Sequence, residues 1–216
     1  MDSSYKITYV QQAKPEGFTF SPIEIKEIVV SVLVLTLAFA IAMTGGAQGV
    51  MLYPVLFVVI LPISALAVIS AFLLHELAHK FLAQKYGCWA EFRYWQFGLL
   101  IALLFSAMGF LFAAPGAVVI SGYVKRSEYG KISAAGPAVN LSVGSGLVGV
   151  ALLVGPDTLI GFICSTIGFI NAFIGGFNLI PVSPFDGSKI VMWNKGVYAA
   201  LVVTAISLVV TYYLWL

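Results

Sequence analysis

The sequence predicts an all-α polytopic membrane protein with about five to six transmembrane helices and one re-entrant, strand-containing membrane segment. Three observations carry that prediction. Hydrophobic residues make up 61% of the 216 residues and charged residues only 9%, where a soluble domain carries about a quarter charged. Not one charge falls in the 47 residues from Ile28 to Leu74, about enough for two bilayer crossings. All eleven basic residues fall on one side of the resulting map, the asymmetry the positive-inside rule describes.

The first 23 residues are polar and hold no short apolar run followed by a small-residue cleavage site. They read as a retained cytoplasmic tail, with a strand expected at Tyr5 to Gln11, ahead of one membrane-embedded domain over 24–216. The long apolar run must break. Gly45-Gly46-Ala47-Gln48-Gly49 is the natural turn, giving a first helix from about Ile25 to Thr44 and a second from about Met51 to Gln84. Pro54 suits the start of the second helix, and Pro62 is its expected kink. Lys80 and Lys85 are expected to snorkel to a headgroup surface, which puts His75 roughly 8 Å inward of Lys80.

The segment from Tyr94 to Gly122 is apolar, yet Arg93 precedes it and Lys125 and Arg126 follow it. A full crossing would strand those charges on the far side, so a re-entrant hairpin is expected, broken at Pro115-Gly116. Ala117 to Ser121 reads as a strand able to pair with residues near Ala90 to Tyr94. A span from Ser133 to Val154 follows, rich in small residues that admit a close helix neighbour. Gly155-Pro156-Asp157 turns the chain into a span from about Thr158 to Ile180, and a last apolar run covers Val197 to Leu216.

Net charge is +2, with basic residues scattered rather than striped, so a nucleic-acid role is excluded. Cys88 and Cys164 fall at different predicted depths and form neither a disulfide framework nor a CxxC site.

The stretch that carries chemistry is His75-Glu76-Leu77-Ala78-His79. On a helix, positions i and i+4 share a face, so the two imidazoles can hold one Zn²⁺ while Glu76 stands beside them to take a proton from water. A helix end that is merely polar would be the plain alternative. These are the chain's only two histidines, however, and ionisable groups inside an apolar helix are costly unless they are functional. A catalytic zinc needs a third protein ligand, and the acidic candidates are Glu91, Glu128, Asp157 and Asp186. Depth favours Asp186, which ends a span on the motif's own side. A turn carboxylate before Gly187 is its other reading.

With these residues in place, the chain resembles the site-2 protease family of intramembrane metalloproteases. The resemblance rests on His75 to His79, on Ala135-Gly136-Pro137-Ala138-Val139-Asn140, and on Asn178-Leu179-Ile180-Pro181-Val182-Ser183-Pro184-Phe185-Asp186-Gly187, over a core of about 51–188. It departs from the family where Ser188, and not a second glycine, follows Gly187. The resemblance implies one zinc held by His75, His79 and Asp186, with Glu76 as catalytic base. It associates Asn140 and Asn178 with the substrate strand or the transition state. The expected reaction is hydrolysis of a peptide bond in a transmembrane segment of another protein, near the cytoplasmic face, with Ala117 to Ser121 as template for the unwound substrate. A metal-handling transporter using the same His/His/Asp cluster is the rival reading. Glu76 has no evident part in it, and no inverted repeat shows in the hydropathy.

Overall fold

The computed structural model describes residues 17–215; the strand expected at Tyr5 to Gln11 lies outside them. Helix α1 (Pro22–Met43) starts with Pro22 in its first turn and Ser21 as cap, its Oγ accepting the Glu24 N–H at 3.2 Å. At 1.5 Å per residue its 22 residues cover about 33 Å, the hydrocarbon thickness of a bilayer. Gly45, at φ 96°, turns the chain into the short α2 (Gly46–Leu52).

A 32-residue rod then runs from Pro54 to Lys85. It consists of α3 (Pro54–Val68), a π-turn (Ile69–Leu73) and α4 (Leu74–Lys85). The helix continues through Pro62, and a π-turn interrupts its α-helical register directly before the histidines. Gly87, at φ 82°, ends α4 by donating to the Gln84 carbonyl.

Next come β1 (Trp89–Tyr94), α5 (Gln96–Ala107) and β2 (Gly116–Ser121). The strands pair antiparallel from Trp89 opposite Ser121 to Tyr94 opposite Gly116. The segment therefore leaves and returns at one level, as a hairpin. Helix α5 has 12 residues, about 18 Å, too short to cross alone. Its return leg packs so closely that a Cβ on Gly98 would lie 1.9 Å from the Ala114 carbonyl oxygen. A Cβ on Gly46 would lie 2.7 Å from the Ala107 carbonyl oxygen, so the hairpin tip abuts the turn after α1. With β1 hydrogen-bonded to the first turns of α1, the hairpin follows that helix along its whole length.

Helix α6 (Arg126–Val154) lies against α7 (Leu159–Asn178), and of its small residues Gly144 faces this contact. A Cβ on Gly144 would sit 3.2 Å from the Gly168 carbonyl oxygen. The chain closes with α8 (Asp186–Trp193) and α9 (Lys195–Trp215). Five described helices or rods are long and apolar enough to cross a bilayer, and large apolar residues such as Val55, Leu104, Leu153 and Val203 face outward. This is a multi-pass membrane protein.

One expectation fails. Lys80 does not snorkel: it is fully buried and ion-paired with the equally buried Glu24 of α1. The Phe20 ring lies 3.9 Å from its ammonium and seals the pair from the surroundings. The second Glu24 oxygen accepts the Phe92 N–H of β1 at 2.9 Å, so one carboxylate joins α1, α4 and the sheet. A helix contributing Glu24 from outside the motif makes burial of Lys80 cheaper than reaching for the surface, because the charge is neutralised where it stands.

Two experiments follow. Glu24→Ala or Lys80→Ala alone leaves a buried charge unpaired and is expected to cost ~3–5 kcal/mol, whereas Glu24→Gln with Lys80→Met recovers most of the loss; thermal unfolding in detergent measures both. Ser127→Cys and Lys85→Cys, each without Cys88 and Cys164, are expected to react with an impermeant thiol reagent from the same side. Labelling from opposite sides would make 95–122 a crossing.

Candidate metal centre

Helix α4 presents His75 and His79 one turn apart toward α6, and the first residue of α8, Asp186, completes the group. His75 Nε2 and His79 Nε2 are 3.0 Å apart. Asp186 Oδ2 lies 3.0 Å from His79 Nε2 and 3.4 Å from His75 Nε2. All three residues are buried.

The surrounding hydrogen bonds decide which atoms carry protons. His79 Nδ1 is 2.7 Å from the Ile132 carbonyl oxygen, which can only accept, so this nitrogen is the N–H. His75 Nδ1 is 2.9 Å from Asn140 Oδ1, and the Asn140 amide nitrogen donates at 2.9 Å to the Ala71 carbonyl, so Oδ1 is again an acceptor. Both Nε2 atoms are then bare lone pairs in the neutral rings. They point at each other and at a carboxylate oxygen, three acceptors with no proton between them.

A metal cation placed between them would be bound by all three donors. For tetrahedral zinc at Zn–N distances of about 2.0–2.1 Å, two ligand atoms lie about 3.3 Å apart, and the three separations here bracket that value. Nitrogen, nitrogen and oxygen donors suit zinc, and three protein ligands leave the open position a catalytic site keeps.

The polypeptide makes room for this group at one residue. Gly136 of α6 faces both rings, and a Cβ there would stand 2.5 Å from each Nε2. In sequence Gly136 stands out as one of many small residues and as part of the Ala135–Asn140 motif; its facing of the rings is a tertiary fact. Gly187 is similarly constrained, since a Cβ on it would lie 2.1 Å from the Leu179 carbonyl oxygen. Ser188, standing where the family has a second glycine, donates its Oγ–H to the Phe185 carbonyl at 2.7 Å and braces the start of α8.

The other candidates separate clearly. Glu76 lies beside the cluster, its carboxylate accepting the Val118 N–H of β2 at 3.0 Å. Asn140 is fully buried against His75. Asn178, at the end of α7, donates to the Ile174 carbonyl of its own helix at 3.0 Å. Glu91 pairs with Arg93 and accepts from Ser21, and Glu128 accepts the Lys125 N–H. The remaining acid, Asp157, lies in the turn between α6 and α7.

Two curated archaeal proteins match the chain, both from Methanocaldococcus jannaschii. One, named "Putative zinc metalloprotease MJ0611", is 38% identical over 185 residues, covering 84% of this chain and 90% of that protein. The other, named zinc metalloprotease MJ0392, is 30% identical over 122 residues, covering 54% of this chain and 30% of its own greater length. No family model matches the chain, and no solved structure does.

Zinc analysis of purified variants tests the centre. One zinc per chain is expected, lost in His75→Ala, His79→Ala and Asp186→Ala and kept in Glu76→Gln, which removes no ligand. Gly136→Ala is expected to lose zinc as fully as a ligand variant while changing no donor atom.

Proposed function

The chain belongs to the site-2 protease family of zinc metalloproteases that these relatives represent, and from that premise we propose that it hydrolyses a peptide bond within or near a transmembrane segment of a membrane-protein substrate. It is a zinc-dependent, multi-pass membrane protease. The finer reading takes residues 24–216 as one membrane-embedded protease domain and places its centre near the cytoplasmic face, where the basic residues gather.

The observation that carries the proposal is the convergence of three proton-free donors beside Glu76 in the interior of an apolar chain. Bound there, zinc supplies Lewis-acid polarisation of the scissile carbonyl and of the attacking water. Glu76 takes the water's proton and passes it to the leaving amine; its place next to His75 in α4 puts it within reach of both. Asn140 is committed to His75 and Ala71, so Asn178, engaged only with its own helix, is the better donor to the developing oxyanion. The transporter reading gives Glu76 no task.

Sheet edges support a place for the substrate. The outer edge of β1 is occupied: Gln84 donates to the Ala90 carbonyl, Glu24 accepts from Phe92 N–H and Glu27 from Tyr94 N–H. On the outer edge of β2, among the described residues, only Val118 N–H is engaged, and its partner is Glu76. An unwound substrate strand added to β2 therefore runs directly past the base.

Glu76→Gln is expected to abolish cleavage of a single-span substrate while the protein stays folded and zinc-loaded. Gly or Pro placed in the substrate near the cytoplasmic interface is expected to speed cleavage by the unaltered enzyme, since each lowers the cost of opening a helix by roughly 1–3 kcal/mol. A gel-based cleavage assay in proteoliposomes reads both effects. Persistent cleavage by Glu76→Gln would overturn the enzyme reading, and a rate indifferent to helix breakers would overturn the unwinding step.

A further inference from the structure

We propose that Asn140 is a positioning residue that sets the orientation and tautomer of His75 by tying it to the π-turn, and that it makes no contact with substrate. This rests on the reading of His75, His79 and Asp186 as the zinc ligands.

The π-turn Ile69–Leu73 interrupts the regular i+4 ladder of the rod. Within it the Ala71 carbonyl, in a fully buried residue, accepts at 2.9 Å the amide N–H of Asn140, which reaches across from α6. Once Nδ2 is spent on a carbonyl, the amide cannot turn over without facing oxygen to oxygen. Its Oδ1 is thereby fixed as an acceptor, 2.9 Å from His75 Nδ1. That ring nitrogen must then carry the proton, and Nε2 is left bare toward His79 and Asp186.

The side chain has no freedom for another role. Asn140 is fully buried, both of its polar atoms are used, and Gly175 of α7 packs on its Cβ, where an added Cβ would come within 3.0 Å. A group that helps a substrate must be able to meet it, whereas this one is closed in behind the ring. The π-turn has a second support that does not touch His75: Asn171 of α7 donates to Ser70 Oγ at 2.9 Å. This separation lets the two contributions of Asn140, to the turn and to the ring, be told apart.

The test is zinc affinity by chelator competition, with the absorption spectrum of the Co²⁺-substituted protein as reporter of ligand geometry. The full chain is used, with no substrate present. Asn140→Leu is expected to weaken zinc binding about 10- to 100-fold and to change the Co²⁺ spectrum. Asn140→Ser, too short to reach His75 and gentler on packing, is expected to do the same and decides the matter if the leucine variant does not fold. Asn140→Asp still accepts from His75 Nδ1–H and is expected to restore near-normal affinity. Asn171→Leu, which weakens only the turn, is expected to leave affinity and spectrum unchanged. Wild-type affinity in both Asn140→Leu and Asn140→Ser, or a loss in Asn171→Leu equal to theirs, would overturn the proposal. Zinc retained by His75→Ala would instead overturn the ligand assignment beneath it.

Discussion

The carboxylate of Glu24 is the point on which the arrangement around the metal centre depends. It is buried in α1, ion-paired with Lys80 on α4 and bonded to the Phe92 N–H of β1. Phe92 stands opposite Val118 in the sheet, and Val118 donates to Glu76, one turn before Lys80 on α4. The contacts thus close a ring that begins and ends on the helix bearing the histidines. A charge in a low-dielectric setting tolerates few geometries, because displacement exposes it without a partner. The pair therefore fixes the register of the hairpin against α4 more firmly than apolar packing would, since lipid tails compete with apolar contacts on equal terms.

The same constraint, that no polar group be left without a partner in the bilayer, explains the detail of the site. A carbonyl within the π-turn accepts from an asparagine of a neighbouring helix, and the other end of that asparagine meets a histidine ring nitrogen. The Ile132 carbonyl does the corresponding work for His79. In this chain the supporting hydrogen bonds set which ring nitrogens are bare toward the point where the three ligand atoms converge. Glycine supplies the space: at Gly136 the backbone of α6 itself forms one wall of the site.

The hairpin shows how strands are accommodated in such an environment. A two-stranded sheet leaves two edges of unpaired backbone groups. The edge of β1 is closed by side chains of α1 and α4, and the edge of β2 meets Glu76. The asymmetry follows from position, since β1 lies against two polar helix ends and β2 lies toward the site.

The sequence by itself determined the class of the protein, the main helices, the re-entrant hairpin and its strand pair. Each of these rests on signals local in the chain: apolar length, glycine and proline breaks, and the one-sidedness of Lys and Arg. It also singled out the two histidines, because i and i+4 spacing is a property of any helix, and placed Asp186 first among four acids by its depth; the fold brings the three together. Tertiary structure alone decided the fate of Lys80, which reads as a snorkelling residue until Glu24, 56 residues earlier, is brought beside it. Only the fold, likewise, could bring Asn140 against His75 and set Gly136, among many glycines, facing both rings. In each case the deciding partner lies on another helix, and the pairing of helices is set by packing and by the need to satisfy buried polar groups, which no periodicity in a single stretch records.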